Sequence, residues 1–347
     1  MRVRILGGAL VAATALLIAG CGSDSEPAND ETAATTDDTS QSLTVYSGRS
    51  EELVGPLLEQ FTEDTGIEIE VRYGNTAEMA ALILDEGENT PADVFFGQDA
   101  GALGALSAAG VLATLDADTL NVVDETYRSP DDTWVGTSGR ARVVVYNTDN
   151  VTEADLPDAI AGFTDPQWAG RVGWAPTNAS LQAFVTALRV LEGDDAALAW
   201  VTAMKDNGTQ VYEGNGAIVD AVAAGEIDAG LVNHYYLYPK LAETPDLTAA
   251  NKYYSDGDPG ALVNVAGVAV LEGTDASEAA KEFVEYLLGN DAQVYFATET
   301  SEFPLVEGVP APEELPALDT LTPPALDLSQ LEDLEGTLAL LQDAGVL

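Results

Sequence analysis

Two adjacent phenols, Tyr235 and Tyr236, close the segment Asn233-His234-Tyr235-Tyr236, where the apolar run Ala229 to Val232 ends. A run of that length reads as a short buried strand, and ligands collect where the chain leaves the carboxyl end of a strand in an open α/β sheet. Neighbours on a helix diverge by about 100°, so if a helical turn starts here both rings can lean into one cleft. Phenolate oxygen is a hard ligand, and hard trivalent iron gains most from two of them. A free phenol titrates near about 10, so it stays protonated at neutral pH until a trivalent ion alongside selects the phenolate. The competing reading makes Tyr235 and Tyr236 wall aromatics that only pack. His234 is the only histidine in the chain, and it reads as a packing or cleft-edge residue.

An anion beside such an ion needs donors. Asn178-Ala179-Ser180 opens a helix whose apolar face is Leu181, Phe184, Val185 and Leu188, and the free N–H groups and positive end of a helix favour anions. Asn178 or Ser180 also reads as a simple cap of that helix. Arg140 and Arg142 stand two apart in an extended run. In so acidic a chain either one reads equally well as a structural ion-pair partner.

The elements that must position these groups follow from periodicity. Leu43 to Tyr46 reads as a strand, Glu51 to Thr65 as an amphipathic helix stopped by Gly66, and Ile67, Ile69 and Val71 alternate as a second strand. Helix Ala77 to Glu86, strand Asp93 to Phe96 and helix Ala100 to Ala109 complete a β-α-β-α-β-α order, which predicts a parallel sheet covered on both faces. Trp134 to Gly139 and Arg142 to Tyr146 read as two extended segments leaving this first lobe. A second α/β run follows: strand Arg171 to Trp174, helices Asn178 to Leu191 and Ala196 to Asp206, strand Gln210 to Tyr212, helix Ala217 to Ala224 and strand Ala229 to Val232. Asn264 to Leu271 reads as strand, Ser277 to Leu288 and Asp291 to Thr298 as helices, and Leu328 to Asp343 as one last helix lined with leucines. Two α/β lobes joined by extended crossings predict a hinged binding protein that closes on a ligand. The first lobe would comprise 42–143 with 264–347, and the second 144–263.

The amino terminus reads as a targeting segment: Arg2 and Arg4, an apolar core from Ile5 to Ile18, then Ile18-Ala19-Gly20-Cys21. The small residues before the only cysteine resemble a bacterial lipobox, which implies cleavage ahead of Cys21 and a lipid on its thiol. Residues 22–41 are polar and aperiodic, as expected of a tether. With no second cysteine the core must hold the fold without disulfides. A net charge of −46, from 59 acidic and 13 basic residues, repels nucleic acid and anionic lipid. There is no G-x-S-x-G elbow, phosphate loop or dinucleotide G-x-G-x-x-G, so the pairings that catalysis needs are not in view.

Six segments, in order, resemble the periplasmic ferric-ion-binding proteins that feed ABC importers: Thr44 to Gly48, Thr90 to Phe95, Ser138 to Tyr146, Asn233 to Tyr236, Asp258 to Leu262 and Glu302 to Leu305. The resemblance implies a two-lobed periplasmic-binding-protein type II fold with two crossover hinge strands. It implies that Tyr235 and Tyr236 bind Fe3+ together with a synergistic anion, carbonate or phosphate. The anion contacts carried over are Asn178, Ala179, Ser180, Asn215 and Asn233, with Arg140 as the cleft arginine. It further implies a lipid-anchored, monomeric, non-enzymatic protein on the outer face of the cytoplasmic membrane, partnered by an importer permease and ATPase. Many members add a histidine and a glutamate ligand where this chain has Ser50 and Gln98, and some add a third tyrosine near the position of Asn178. Glu51 and Asp99, one residue further along, are weak substitutes. The runner-up is a binding protein for a small organic ligand, such as a ferric chelate, a thiamine-like cation or a carboxylate, with the tyrosines stacking.

Overall fold

The computed structural model describes residues 42–347, so the targeting segment, Cys21 and the tether lie outside the described residues. Its elements run β1 (Ser42–Ser47), α1 (Glu51–Thr65), β2 (Glu68–Tyr73), α2 (Thr76–Glu86), β3 (Val94–Gly97), α3 (Ala100–Ala108), α4 (Ala117–Leu120), β4 (Val135–Asn147), β5 (Val172–Trp174), α5 (Ala179–Glu192), α6 (Asp194–Asp206) and β6 (Gln210–Val211). They continue with α7 (Asn215–Ala223), β7 (Ala229–Asn233), α8 (Tyr238–Glu243), β8 (Ala249–Lys252), β9 (Val263–Val270), α9 (Ser277–Leu287), α10 (Asn290–Thr298), β10 (Phe303–Pro304) and α11 (Leu334–Asp343). Helix α1 shows why these boundaries fall where they do. It buries Val54, Leu57, Leu58 and Phe61 on one face and ends at Gly66, which takes a φ of 75° and returns its N–H to the Thr62 carbonyl.

The strands form one sheet in the order β2-β1-β3-β9-β4-β7-β5-β6, with β8 and β10 also pairing β4. The expected parallel pairing holds only for β2-β1-β3 and for β7-β5-β6. Strand β9 enters between β3 and β4 and runs antiparallel to both, because it returns from the far side of the molecule. The sheet is therefore mixed. Trp134 to Gly139 and Arg142 to Tyr146 are not two segments but one fully buried 13-residue strand. Its continuity has a hydrogen-bonding cause: residues up to Ala141 pair with β9, whereas Arg142 onward pairs with β7 and β8. The change of partners falls at Ala141/Arg142 on β4, and β9 begins its pairing there at Val263.

The carboxyl-terminal segment corrects another expectation. Leu328 to Asp343 is broken at Asp333, with Leu328–Glu332 a 3₁₀ turn and the Asp333 side chain capping α11 by accepting from Gly336 N at 2.9 Å. A short polar side chain at a helix start offers the backbone this alternative to continued helix. The 3₁₀ turn packs on α3 while α11 packs on α5 and α6. Thr186 and Thr337 share a hydroxyl hydrogen bond of 2.7 Å, and Arg189 donates to the Asp333 carbonyl at 3.0 Å. The carboxyl-terminal segment thus packs on α3 at its start and on α5 and α6 at its end.

Two glycines of α3 make the first of these contacts possible. A Cβ on Gly101 would sit 2.4 Å from the Leu331 carbonyl oxygen, and one on Gly104 would sit 2.4 Å from that of Ser329. Gly104→Ala is therefore expected to push the 328–332 turn off α3, at about 1–3 kcal/mol, the usual cost of overpacking. Urea unfolding at neutral pH would check this; an unchanged midpoint would contradict the close approach.

Candidate functional site

Strand β7 delivers the tyrosine pair, and a 3₁₀ turn over His234–Tyr236 follows it at once. The tighter turn sets the two rings in a stack, with centroids 4.6 Å apart and planes at 27°. Tyr235 is buried and Tyr236 half-buried, and both line one cavity. Burial raises the Tyr236 pKa and the neighbouring Tyr235 raises it further, against the opposing pull of Arg140 and Arg142. The phenol of Tyr236 is therefore neutral at pH 7 in the empty site.

His234 faces the other way. It is fully buried, stacks on Phe303 with ring centroids 4.6 Å apart, and accepts from Ala141 N through Nδ1 at 3.1 Å. Burial lowers its pKa to about 4, so it is a neutral imidazole with the proton on Nε2. Its role is to pin the tyrosine turn to β4 at the place where that strand changes partners.

A network of amides and hydroxyls gathers beside the phenols. Asn178 caps α5, accepting from Ser180 N at 3.0 Å. Asn215, the first residue of α7, donates to Asn178 Oδ1 (3.1 Å) and Ser180 Oγ (3.2 Å) and accepts from Asn233 N (3.0 Å). Ala179 completes this wall at the start of α5. Arg142 Nη1 donates to Ser180 Oγ at 3.1 Å and Asn233 Oδ1 at 3.2 Å. The structure thus brings Asn178, Ala179, Ser180, Asn215 and Asn233 together around one guanidinium.

That guanidinium is not the one singled out from sequence. Arg140 also lines the cavity, but its Nη2 donates to the Val265 carbonyl at 3.2 Å and its Nε lies 3.9 Å from Glu302 Oε1. Glu302 is itself held by Arg49 through hydrogen bonds of 3.0 and 2.8 Å, and accepts from Ser138 and Thr300. No carboxylate pairs with Arg142 among the described residues. Burial lowers its pKa to about 9, and the tyrosines beside it push the other way; it remains charged at neutral pH. The signal in the sequence was the i, i+2 spacing, which puts Arg140 and Arg142 on the same face of β4.

The cavity measures about 740 Å³. Gln98 lines it, whereas Ser50 and Glu51 are exposed at the start of α1 and do not. Asp99 lines it too, with Oδ1 accepting from Ala102 N at 3.2 Å as the cap of α3. Among the described residues there is no group of three or more His, Cys, Asp or Glu side chains that could hold a metal.

Residues 57–323 match the model of a bacterial extracellular solute-binding protein family, and the chain belongs to that family. It has the mixed α/β, two-lobed fold of the periplasmic binding proteins. Within that class it is 34% identical over 310 residues to the Fe(3+)-binding periplasmic protein of Serratia marcescens, covering 88% of this chain and 91% of the relative. It is also 34% identical to the major ferric iron-binding protein of Neisseria gonorrhoeae, covering 88% of this chain and 93% of that one. The iron-bound structure of HitA from Pseudomonas aeruginosa superposes with a TM-score of 0.82 at 33% identity, covering 88% of this chain and 99% of HitA. The Trichodesmium protein FutA, solved with iron and citrate, superposes with a TM-score of 0.77 at 28% identity, covering 88% and 99%.

Proposed function

We propose that this chain captures ferric iron outside the cytoplasm, through Tyr235 and Tyr236 and a synergistic anion, and delivers it to an ABC importer. The observation that carries this reading is the stacked phenol pair opening on the same cavity as Arg142, a buried cation without a carboxylate partner. Two phenolates leave one positive charge on the ion and several open coordination positions. An anion held by the start of α5, by Asn215 and Asn233, and by Arg142 fills those positions and supplies the missing charge partner. Arg140, drawn toward Glu302, contributes to the field and less to the contact. The relatives are ferric-binding proteins of iron uptake, which supports the same assignment.

In this reading the protein is no enzyme, and the chemistry is ligand exchange. Each phenol that ligates releases its proton to water, so acid favours the iron-free form. Cleavage ahead of Cys21 and lipidation of its thiol would anchor the monomer to the outer face of the cytoplasmic membrane, beside the importer permease and ATPase. The two lobes, 42–143 with 264–347 and 144–263, would close about the crossings in β4 and β9.

Ferric titration of metal-free protein in carbonate buffer should produce a red to orange charge-transfer band at one iron per chain, bleached on mild acidification. Arg142→Ala should weaken iron binding more than Arg140→Ala, about tenfold or more for loss of a charge-assisted contact. A protein that stays colourless and free of iron in carbonate, phosphate and citrate buffers would end this reading.

A further inference from the structure

The turn at Leu328–Glu332 lies between α3 and α5 and supplies Leu331 and Glu332 to the wall of the cavity. These two helices rest on different parts of the sheet. Helix α3 packs on β3 and β9, whereas α5 packs on β7, and β9 pairs with β4 up to Ala141 while β7 pairs with it from Arg142 onward. Whatever joins α3 to α5 therefore bridges the point about which the cleft would close. The turn is joined to the two helices in unlike ways.

Toward α5 and α6 the hold is by hydrogen bonds. Arg189 donates to the Asp333 carbonyl (3.0 Å), the Asp333 carboxylate (2.8 Å) and Thr337 Oγ1 (3.0 Å). The Thr186 and Thr337 hydroxyls bond at 2.7 Å, and Lys205 donates to the Ala344 carbonyl at 2.8 Å. Earlier in the segment, Tyr238 donates to the Glu314 carbonyl at 3.3 Å, and the Asp256 and Gly257 amides donate to Thr322 Oγ1 and the Thr322 carbonyl at 2.6 and 3.1 Å. Toward α3 the hold is packing alone. Among the described residues no hydrogen bond joins the turn to α3. Leu328 and Leu331 are buried, the Ser329 and Leu331 carbonyls sit over Gly104 and Gly101, and Ser329 Oγ is buried with no partner. A buried hydroxyl without a partner favours the state in which water can reach it. Close packing without bonds is lost on a small parting, so this is the face at which the bridge gives way.

We propose that the 328–332 turn is a latch: carried by α5 and α6, it docks on the glycine face of α3 when the cleft is closed and parts from it when the cleft opens. The strength of this dry contact then sets the balance between open and closed protein and the rate at which a bound ligand leaves. The latch rests on the proposed closure about β4 and not on the identity of the ligand. Two substitutions bias it in opposite directions without touching the tyrosines or the anion wall. Gly104→Ala puts a methyl where the Ser329 carbonyl sits, and because alanine favours helix more than glycine does, α3 itself is kept. Ser329→Ala removes the unpartnered hydroxyl and leaves the packing, so docking becomes more favourable.

Small-angle scattering of the metal-free chain reads the balance, and loss of the charge-transfer band after excess EDTA is added to the iron-loaded chain reads the rate. Relative to wild type, Gly104→Ala should enlarge the radius of gyration of the metal-free chain and speed iron loss about tenfold. Ser329→Ala should leave the metal-free chain at least as compact and slow iron loss about fivefold. The band itself should stay unshifted in both. If wild-type protein becomes more compact on loading, then changes of the same sign in both variants, or wild-type compactness and release in both, would overturn the latch and leave the closure standing. A wild-type shape that iron does not alter would overturn the closure and the latch with it. If the chain stays colourless in every buffer, the ferric reading falls and the scattering of the two metal-free variants alone decides the latch.

Discussion

Tyr235→Phe and Tyr236→Phe are each expected to weaken ferric binding by at least about a hundredfold, the upper end of what loss of an outer-shell partner costs a metal site. The substitution keeps the ring and removes one oxygen. The stack of the two rings, 4.6 Å between centroids, should therefore survive, and far-ultraviolet dichroism and urea midpoints should stay close to wild type. The effect should appear in the charge-transfer band, shifted and weakened in each single variant and abolished in the double. A direct measure is competition against a chelator of known affinity at fixed pH. The pH dependence follows the same chemistry: because burial and the adjacent ring raise the Tyr236 pKa, apparent affinity should rise with pH through the neutral range. If both single variants keep wild-type affinity and colour, the tyrosines are wall aromatics after all.

Glu302→Gln should have the largest effect on stability. Burial alone would raise the Glu302 pKa, but Arg49 first and Arg140 with Thr300 next hold it below the ordinary carboxylate value. The neutral amide keeps the shape and removes the charge that two buried guanidiniums face. Breaking a buried ion pair on one side costs about 3–5 kcal/mol, most of it from the cation left behind. The sign with pH is fixed by the depressed pKa: the contribution is complete above the ordinary carboxylate value and is lost as pH falls through the lower folded-state value. Wild-type and Glu302→Gln stabilities, measured by urea unfolding of iron-free protein, should therefore differ most at neutral pH and converge in acid. A difference below about 1 kcal/mol at pH 7, the scale of an exposed pair, would show that Arg49 finds compensation elsewhere.

What the sequence made legible was what repeats at short range. Helix α1 matched its expected bounds because its apolar spacing and its stop at Gly66 are both local. The phenol pair was legible for the same reason: it directly follows a recognisable strand. Strands β8 and β10, of 4 and 2 residues, are too short to show a period, and they exist because β4 offers them hydrogen bonds. The leucines of 328–343 kept helical spacing through the break at Asp333, so only the capping bond to Gly336 reveals it. Long-range pairing was the main blind spot. Glu302 meets Arg49 across 253 positions, and that contact is what separates the duties of Arg140 and Arg142. Their alternation said that both point one way; only the fold says which of them is already spoken for.

The continuity of β4 bears on how a bound ion could be let go. The strand passes from one set of partners to the other at Ala141 and Arg142, and His234 fastens the tyrosine turn to that same point through the Ala141 amide. A rotation that bent the strand there would leave the phenols close to the axis, together with the start of α3, whose Ala100 amide donates to Asn264 opposite Arg140. On the proposed reading, opening about this point would move an ion little relative to Tyr235 and Tyr236. Release would then rest on readmitted water and on protons or a competing chelator that displace the two phenolates.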